Sequence, residues 1–260
     1  MRVFVAGNGP HVVVVPGIQG RWEWFRPAVD ALSARCRVTG YSLCGEPGCG
    51  CALDRALGFD NYLRQLDEVT ERAGGRAAIC GVSYGGFIAL RYAATRPERV
   101  SALILVSAPA PGWAPTELQR AYVEHPWRRA PKFVLTSPFR VGPEIHAAFD
   151  TWRARLGFSL AQAMRVARAP MIPGLMAARI VEQQAIDFAP DTAAVRAPTL
   201  IVSGEPHLDR IVPVESTRQY GRMIRGAEYR ILERTGHLGL VTRPAAFAAI
   251  VAPFVEQHGA

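Results

Sequence analysis

The pattern that most constrains the fold of this sequence is an alternation of short apolar segments with amphipathic ones. Six segments are typical of strands, and several of them are apolar throughout, as expected for strands buried on both faces: His11–Val15, Arg37–Leu43, Arg76–Val82, Val100–Ser107, Pro198–Ser203 and Glu228–Leu232. Apolar residues recur every three to four positions between them, which predicts helices over residues 22–35, 60–72, 84–96, 214–224 and 244–255. This alternation predicts an α/β fold with a mostly parallel sheet flanked by helices.

Residues 112–196 interrupt the alternation. This stretch contains no convincing strand and is rich in proline and aromatic residues, which predicts several short helices. We therefore expect a core formed by residues 1–112 and 196–260, with residues 113–195 inserted as a helical lid. The alternative is a helical insertion that never touches a substrate.

The strongest local motif lies at residues 81–86, which read GVSYGG. It matches G-x-S-x-G, with an apolar strand leading into it and a helix leading out. In that setting Ser83 lies on a sharp turn, and the small neighbours let strand and helix pack closely. We therefore predict that Ser83 is a nucleophile, with the alternative that the turn simply requires small residues.

A serine hydroxyl needs a base to become a good nucleophile. His237, in the segment Thr-Gly-His-Leu-Gly after the last strand candidate, has a suitable position. A third group that orients the base is expected between the serine and the histidine in chain order. Glu205 and Asp209, after the strand Pro198–Ser203, are the two candidates.

With these residues the chain resembles the α/β-hydrolase family. In that family the pattern Gly-Glu-x-Asp-x-x-Val-Pro follows the penultimate strand, and its aspartate belongs to a catalytic triad. Residues 204–213 read GEPHLDRIVP, with two extra residues between the halves. The resemblance implies a triad of Ser83, His237 and Asp209, with Glu205 as the alternative acid.

The resemblance also implies an oxyanion hole. Residues 15–20 read VPGIQG and are similar to the family's His-Gly-x-x-Gly segment, with Pro16 in place of the histidine. Because proline has no N–H, the donor from this loop is expected to be the backbone of Ile18. The second donor is the backbone N–H of Tyr84, at the start of a helix.

Composition and charge exclude several classes of protein. The 260 residues carry a net charge of +8 but no polybasic run and no base-reading motif, so we expect no nucleic-acid partner. No signal peptide and no membrane span is apparent, and we expect a cytoplasmic protein. A homodimer is left open.

The five cysteines are an odd number without an export signal, which favours free thiols. Three of them cluster at Cys44, Cys49 and Cys51. No fourth ligand follows at zinc-site spacing, so a thiol-rich loop is favoured over structural zinc or a redox pair. We expect neither a metal nor an organic cofactor.

Together these features predict a serine hydrolase that acts on a small apolar substrate, first of all a carboxylesterase. A carbon–carbon bond hydrolase, a lactonase or an acyltransferase would use the same triad. The alternative of another class is a ligand receptor or partner-binding protein with little turnover. Substrate contacts are expected from Trp113, Trp127 and Trp152 in the insertion and from Leu238 beside the histidine.

Overall fold

The computed structural model describes residues 1–259, which form a seven-stranded sheet with helices on both faces. The strands are β1 (Val3–Ala6), β2 (His11–Val15), β3 (Arg37–Tyr41), β4 (Ala77–Val82), β5 (Val100–Val106), β6 (Thr199–Ser203) and β7 (Glu228–Ile231). The helices packed around the sheet are α1 (Arg26–Leu32), α2 (Asp60–Arg72), α3 (Gly85–Thr95), α10 (Val214–Met223), α11 (Gly239–Thr242) and α12 (Pro244–His258). The predicted α/β fold class is confirmed.

The strand order is β1-β3-β2-β4-β5-β6-β7, and every neighbouring pair except β1 and β3 is parallel. Because these strands are parallel, the carboxyl ends of β2, β4, β6 and β7 lie at the same end of the sheet.

The short β1 was not predicted. It lies at the edge of the sheet and is partly exposed, so it lacks the continuous apolar signal of a central strand.

Alternate residues of each strand supply two separate hydrophobic cores, because side chains in a strand point to opposite faces. Val13, Ile79 and Leu103 belong to the core beneath α2 and α3. Val14 and Cys80 belong to the core beneath α1 and α12. All five side chains are buried, which is why the segments of the central strands β2, β4 and β5 are almost entirely apolar.

The predicted helix over residues 22–35 consists of two pieces. Trp22–Phe25 forms a 3-10 turn, and α1 begins at Arg26. Pro27 occupies the first turn of α1, where a missing N–H costs no intrahelical hydrogen bond.

Six helices lie between β5 and β6: α4 (Glu117–Glu124), α5 (Pro126–Leu135), α6 (Ser137–Ala148), α7 (Trp152–Arg168), α8 (Pro173–Gln184) and α9 (Ala189–Ala194). Several of the prolines that marked this stretch lie in first turns of helices. Thr116 and Thr151 cap α4 and α7 by accepting backbone N–H groups. Most of the exposed large apolar side chains of residues 1–259 are on these helices.

The expectation of free thiols is wrong for two of the five cysteines. Cys44 and Cys51 form a disulfide, with their Cα atoms 4.9 Å apart. The N–H of Gly45 donates to the carbonyl of Cys51 over 3.0 Å, and this turn brings the two cysteines within bonding range. Cys36, Cys49 and Cys80 are free and buried.

Candidate active site

Ser83 lies in the turn between β4 and α3 and has a left-handed backbone, with φ of 53°. Its N–H donates to the carbonyl of Val106, and its own carbonyl accepts the N–H of Gly86. A Cβ placed on Gly85 would lie 2.5 Å from the carbonyl oxygen of Val15. Only glycine fits this close approach, and a left-handed serine is the kind of backbone strain that concentrates at functional sites.

A chain of side-chain contacts joins Ser83, His237 and Asp209. The Nε2 atom of His237 lies 3.0 Å from Ser83 Oγ, and its Nδ1 atom lies 3.2 Å from Asp209 Oδ2. The other carboxylate oxygen of Asp209 accepts the backbone N–H groups of Ile211 and Val212, over 2.9 and 3.0 Å. Asp209 is therefore held in place by its own turn, and it fixes the orientation of the imidazole.

The electrostatics of this pair favour an ionised aspartate. Burial alone would raise the pKa of Asp209, but the charge and hydrogen bond of His237, with the two backbone N–H groups, hold it below its usual value. Burial alone would lower the pKa of His237. The attraction and hydrogen bond of Asp209, with the charge of Glu144, outweigh burial and raise it.

Glu205 has other partners. Its Oε1 accepts the backbone N–H of Arg234 over 2.6 Å, and its Oε2 lies 3.6 Å from the exposed ring of His207. Within residues 1–259, no hydrogen bond or ion pair joins its side chain to His237. The structure thus brings Asp209, and not Glu205, to the histidine.

The two predicted oxyanion donors flank Ser83. Gly17, next to Ile18, approaches so closely that a Cβ placed on it would lie 3.4 Å from the Cβ of Ser83. Tyr84 follows Ser83 directly and precedes the first residue of α3. In the part of the chain that the structure describes, neither the Ile18 nor the Tyr84 N–H donates a hydrogen bond to another protein group, so the predicted oxyanion role of both stays a prediction.

The predicted substrate contacts have different environments. Trp113 is partly buried and packs against the core beneath α3, and Leu238 packs against the opposite core. Trp127 and Trp152 are 66% and 65% exposed. The structure therefore places two of the three tryptophans at the surface, and their role in substrate binding stays a prediction.

Sequence reasoning missed Glu144, a buried carboxylate on α6. Its Oε2 accepts the backbone N–H of Leu238 over 2.9 Å, and its Oε1 accepts the hydroxyl of Thr242 over 3.1 Å. It therefore holds the segment that carries His237. No local motif marks this residue, because its partners lie 94 and 98 residues away along the chain.

Within residues 1–259, no group of three or more His, Cys, Asp or Glu side chains could hold a metal ion. None of the helices in the same range is both long and apolar enough to cross a membrane.

Comparison with known proteins gives a family match over nearly the whole chain. The model of the "Alpha/beta hydrolase family" matches residues 3–250. A pimeloyl-[acyl-carrier protein] methyl ester esterase from Nitrosomonas europaea is 34% identical over 130 residues, which cover 49% of this chain and 46% of that protein. The chain thus spans about half the length of this relative.

Two further matches extend over the full fold. A putative carbamate hydrolase RutD from Variovorax paradoxus is 26% identical over 97% of this chain and 94% of its own length. The solved structure of an esterase from Exiguobacterium antarcticum has a TM-score of 0.79 at 20% identity, over 98% of this chain and 94% of that one. At that identity the structural match supports the fold alone.

Proposed function

The chain belongs to the alpha/beta hydrolase family, and within it we propose a serine hydrolase that cleaves an ester or related carbonyl bond through an acyl-enzyme. The observation that carries this proposal is the chain of contacts from Ser83 Oγ through His237 to Asp209, built on a strained turn. Such an arrangement is the general signature of an activated nucleophile.

The proposed reaction has two steps. His237 Nε2 takes the proton of Ser83 as Oγ attacks the substrate carbonyl, and the N–H groups of Ile18 and Tyr84 stabilise the oxyanion. The tetrahedral intermediate collapses, and His237 returns the proton to the departing alcohol. Water then attacks the acyl-enzyme with the same base, which releases the acid and restores Ser83. Asp209 holds the proton on Nδ1 throughout.

We propose a small, apolar acyl group as the substrate feature that is recognised, with a carboxylester as the first candidate bond. The aromatic residues of the insertion support an apolar acyl group. The relatives that are named as methyl ester esterases support a carboxylester. A lactone, a carbon–carbon bond next to a ketone or acyl transfer to an alcohol would need the same three residues. Fold alone does not decide among these substrates.

The direct experiment is covalent labelling with a fluorophosphonate, followed by peptide mass spectrometry. One label on Ser83 is expected, and the Ser83→Ala variant is the matched control that should take none. Labelling of a different residue would contradict the proposal. Tight binding of ligands without turnover of any ester, lactone or diketone would favour a receptor instead.

Substrate preference tests the role of the insertion. We expect Trp→Ala at one or more of Trp113, Trp127 and Trp152 to change the kcat/KM ratio between a short and a long acyl ester by about tenfold, or roughly 1.4 kcal/mol. A panel that includes methyl esters and p-nitrophenyl esters measures this ratio. If all three variants keep the wild-type ratio, the insertion is structural.

A further inference from the structure

Besides Glu144, a second buried charged residue of the insertion, Arg179, contacts the sheet domain, at the loop after β2. Arg179, on α8, is fully buried, and its NH1 group donates to the backbone carbonyl of Ile18 over 2.8 Å. Its NH2 group lies 2.7 Å from Oε1 of Glu46, whose side chain is also fully buried. Glu46 lies in the loop that the Cys44–Cys51 disulfide closes.

The loop is shaped around this guanidinium. Gly20 has a φ of +70°, and a Cβ placed on it would lie 2.6 Å from Arg179 NH1 and 2.6 Å from Glu46 Oε1. The N–H of Gly20 donates to the carbonyl of Gly17, and its carbonyl accepts the N–H of Leu43, each over 2.8 Å. Backbone hydrogen bonds therefore hold the end of the loop, and Arg179 holds the peptide between them.

The ion pair between Arg179 and Glu46 is not expected to stabilise the folded protein much. Burial of two charges carries a desolvation penalty that their attraction repays only with good geometry and further hydrogen bonds. Within residues 1–259, Nε of Arg179 and Oε2 of Glu46 have no hydrogen-bond partner beyond the 2.7 Å ion pair between NH2 and Oε1. Apolar side chains could fill the same space without this desolvation penalty, but they could not donate a hydrogen bond to a backbone carbonyl.

We propose that Arg179 is a positioning residue for the oxyanion hole, an inference that rests on the proposed hydrolase function. By holding the carbonyl of Ile18, it fixes the peptide plane between Ile18 and Gln19 and so limits the backbone rotation of Ile18, whose N–H is the predicted donor to the oxyanion. Glu46 orients the guanidinium in turn. The helical insertion therefore contributes to transition-state stabilisation through a residue that does not touch the substrate.

The test compares an ester with its thionoester, in which sulfur replaces the carbonyl oxygen. Sulfur is larger and a weaker hydrogen-bond acceptor, so an oxyanion hole accelerates the ester more than the thionoester. Loss of a donor costs about 10²–10³ in kcat, and a misdirected donor should cost part of that. For Arg179→Met we expect the ratio of ester to thionoester kcat to fall about tenfold or more, with a smaller change in KM.

Arg91 supplies a matched control. It is another arginine that joins the sheet domain to the insertion, through Oδ2 of Asp191 at 2.8 Å and the carbonyl of Asp187 at 3.0 Å. Among residues 1–259, no hydrogen bond or ion pair joins it to the loop around Ile18. We expect Arg91→Met to keep the wild-type ratio, because general loosening of the insertion lowers both rates together.

A double variant protects the test against misfolding. Arg179→Met alone leaves Glu46 buried without its partner, whereas Arg179→Met combined with Glu46→Leu removes both members of the ion pair. The double variant should show the same fall in the ratio. A folded double variant whose Ser83 still takes the fluorophosphonate, but whose ratio equals that of the wild type, would overturn the positioning role alone. A wild type that cleaves neither ester and takes no label overturns the proposed function itself.

Discussion

Replacement of Asp209 by asparagine isolates what this carboxylate does for His237. The side-chain oxygen of asparagine can still accept the N–H groups of Ile211 and Val212, so the turn should remain intact. The amide NH₂ group would then face Nδ1 of His237, where Asp209 Oδ2 now lies at 3.2 Å. Because Nδ1 must then accept a hydrogen bond, the ring proton moves to Nε2.

A proton on Nε2 blocks the base. That atom lies 3.0 Å from Ser83 Oγ, and it can no longer take the hydroxyl proton. Loss of the correct tautomer in a serine–histidine–aspartate triad costs about 10⁴ in kcat. We expect Asp209→Asn to lower kcat by about 10³–10⁴, which corresponds to roughly 4 to 5.5 kcal/mol of transition-state stabilisation.

The measurement is the kcat for a p-nitrophenyl ester, with the melting temperature recorded to confirm folding. Glu205→Gln is the matched control, because glutamine can still accept the N–H of Arg234, and within residues 1–259 no hydrogen bond joins the Glu205 side chain to the imidazole. It should stay within about two- to threefold of the wild type, as surface substitutions usually change free energies by only about 0.5 kcal/mol. If Glu205→Gln costs more activity than Asp209→Asn, the assignment of the acid is refuted.

Three further predictions concern charge, thiols and backbone strain. Glu144→Gln removes a negative charge that raises the pKa of His237, so the imidazolium loses its proton at lower pH. The acid limb of the kcat/KM profile should therefore move to lower pH, and a shift to higher pH would contradict this. Thiol titration of the unfolded, unreduced protein should detect the three thiols that are free in the structure and all five cysteines after reduction, whereas five before reduction would exclude the Cys44–Cys51 disulfide. Ser83→Gly should unfold at a higher temperature than Ser83→Ala. Glycine relieves a left-handed strain of about 1–2 kcal/mol, which outweighs the additional backbone entropy of about 0.5–1 kcal/mol that glycine loses on folding. Equal melting temperatures would argue against strain at φ 53°.

Much of the fold follows from periodicity along the chain. The central strands are buried on both faces, so they had to be continuously apolar, and α2 occupies residues 60–72 as predicted. The turn at Ser83 could also be predicted from the local sequence, because the close packing of strand and helix requires glycine at Gly81 and Gly85, two residues before and after the serine. The edge strand β1 carries no such signal, since partial exposure relaxes the demand for apolar residues.

The local sequence pattern does not decide which acidic residue orients His237. Sequence alone left Glu205 and Asp209 as candidates on one loop, four residues apart. The structure turns Glu205 towards the backbone of Arg234 and Asp209 towards His237. That choice depends on how two loops from different strands meet, and no periodicity within either loop encodes it.

The sequence by itself determined the layered sheet, the turn that raises Ser83 and the histidine after the last strand, because each depends on residues that are neighbours in the chain. Only the tertiary structure decided which partners hold those groups. Arg179 reaches Ile18 across 161 positions, and Glu144 reaches Leu238 across 94. In the sequence they are ordinary charged residues of predicted helices. Their burial, and hence the strength of their hydrogen bonds in a medium of low dielectric, arises only when the insertion packs onto the sheet.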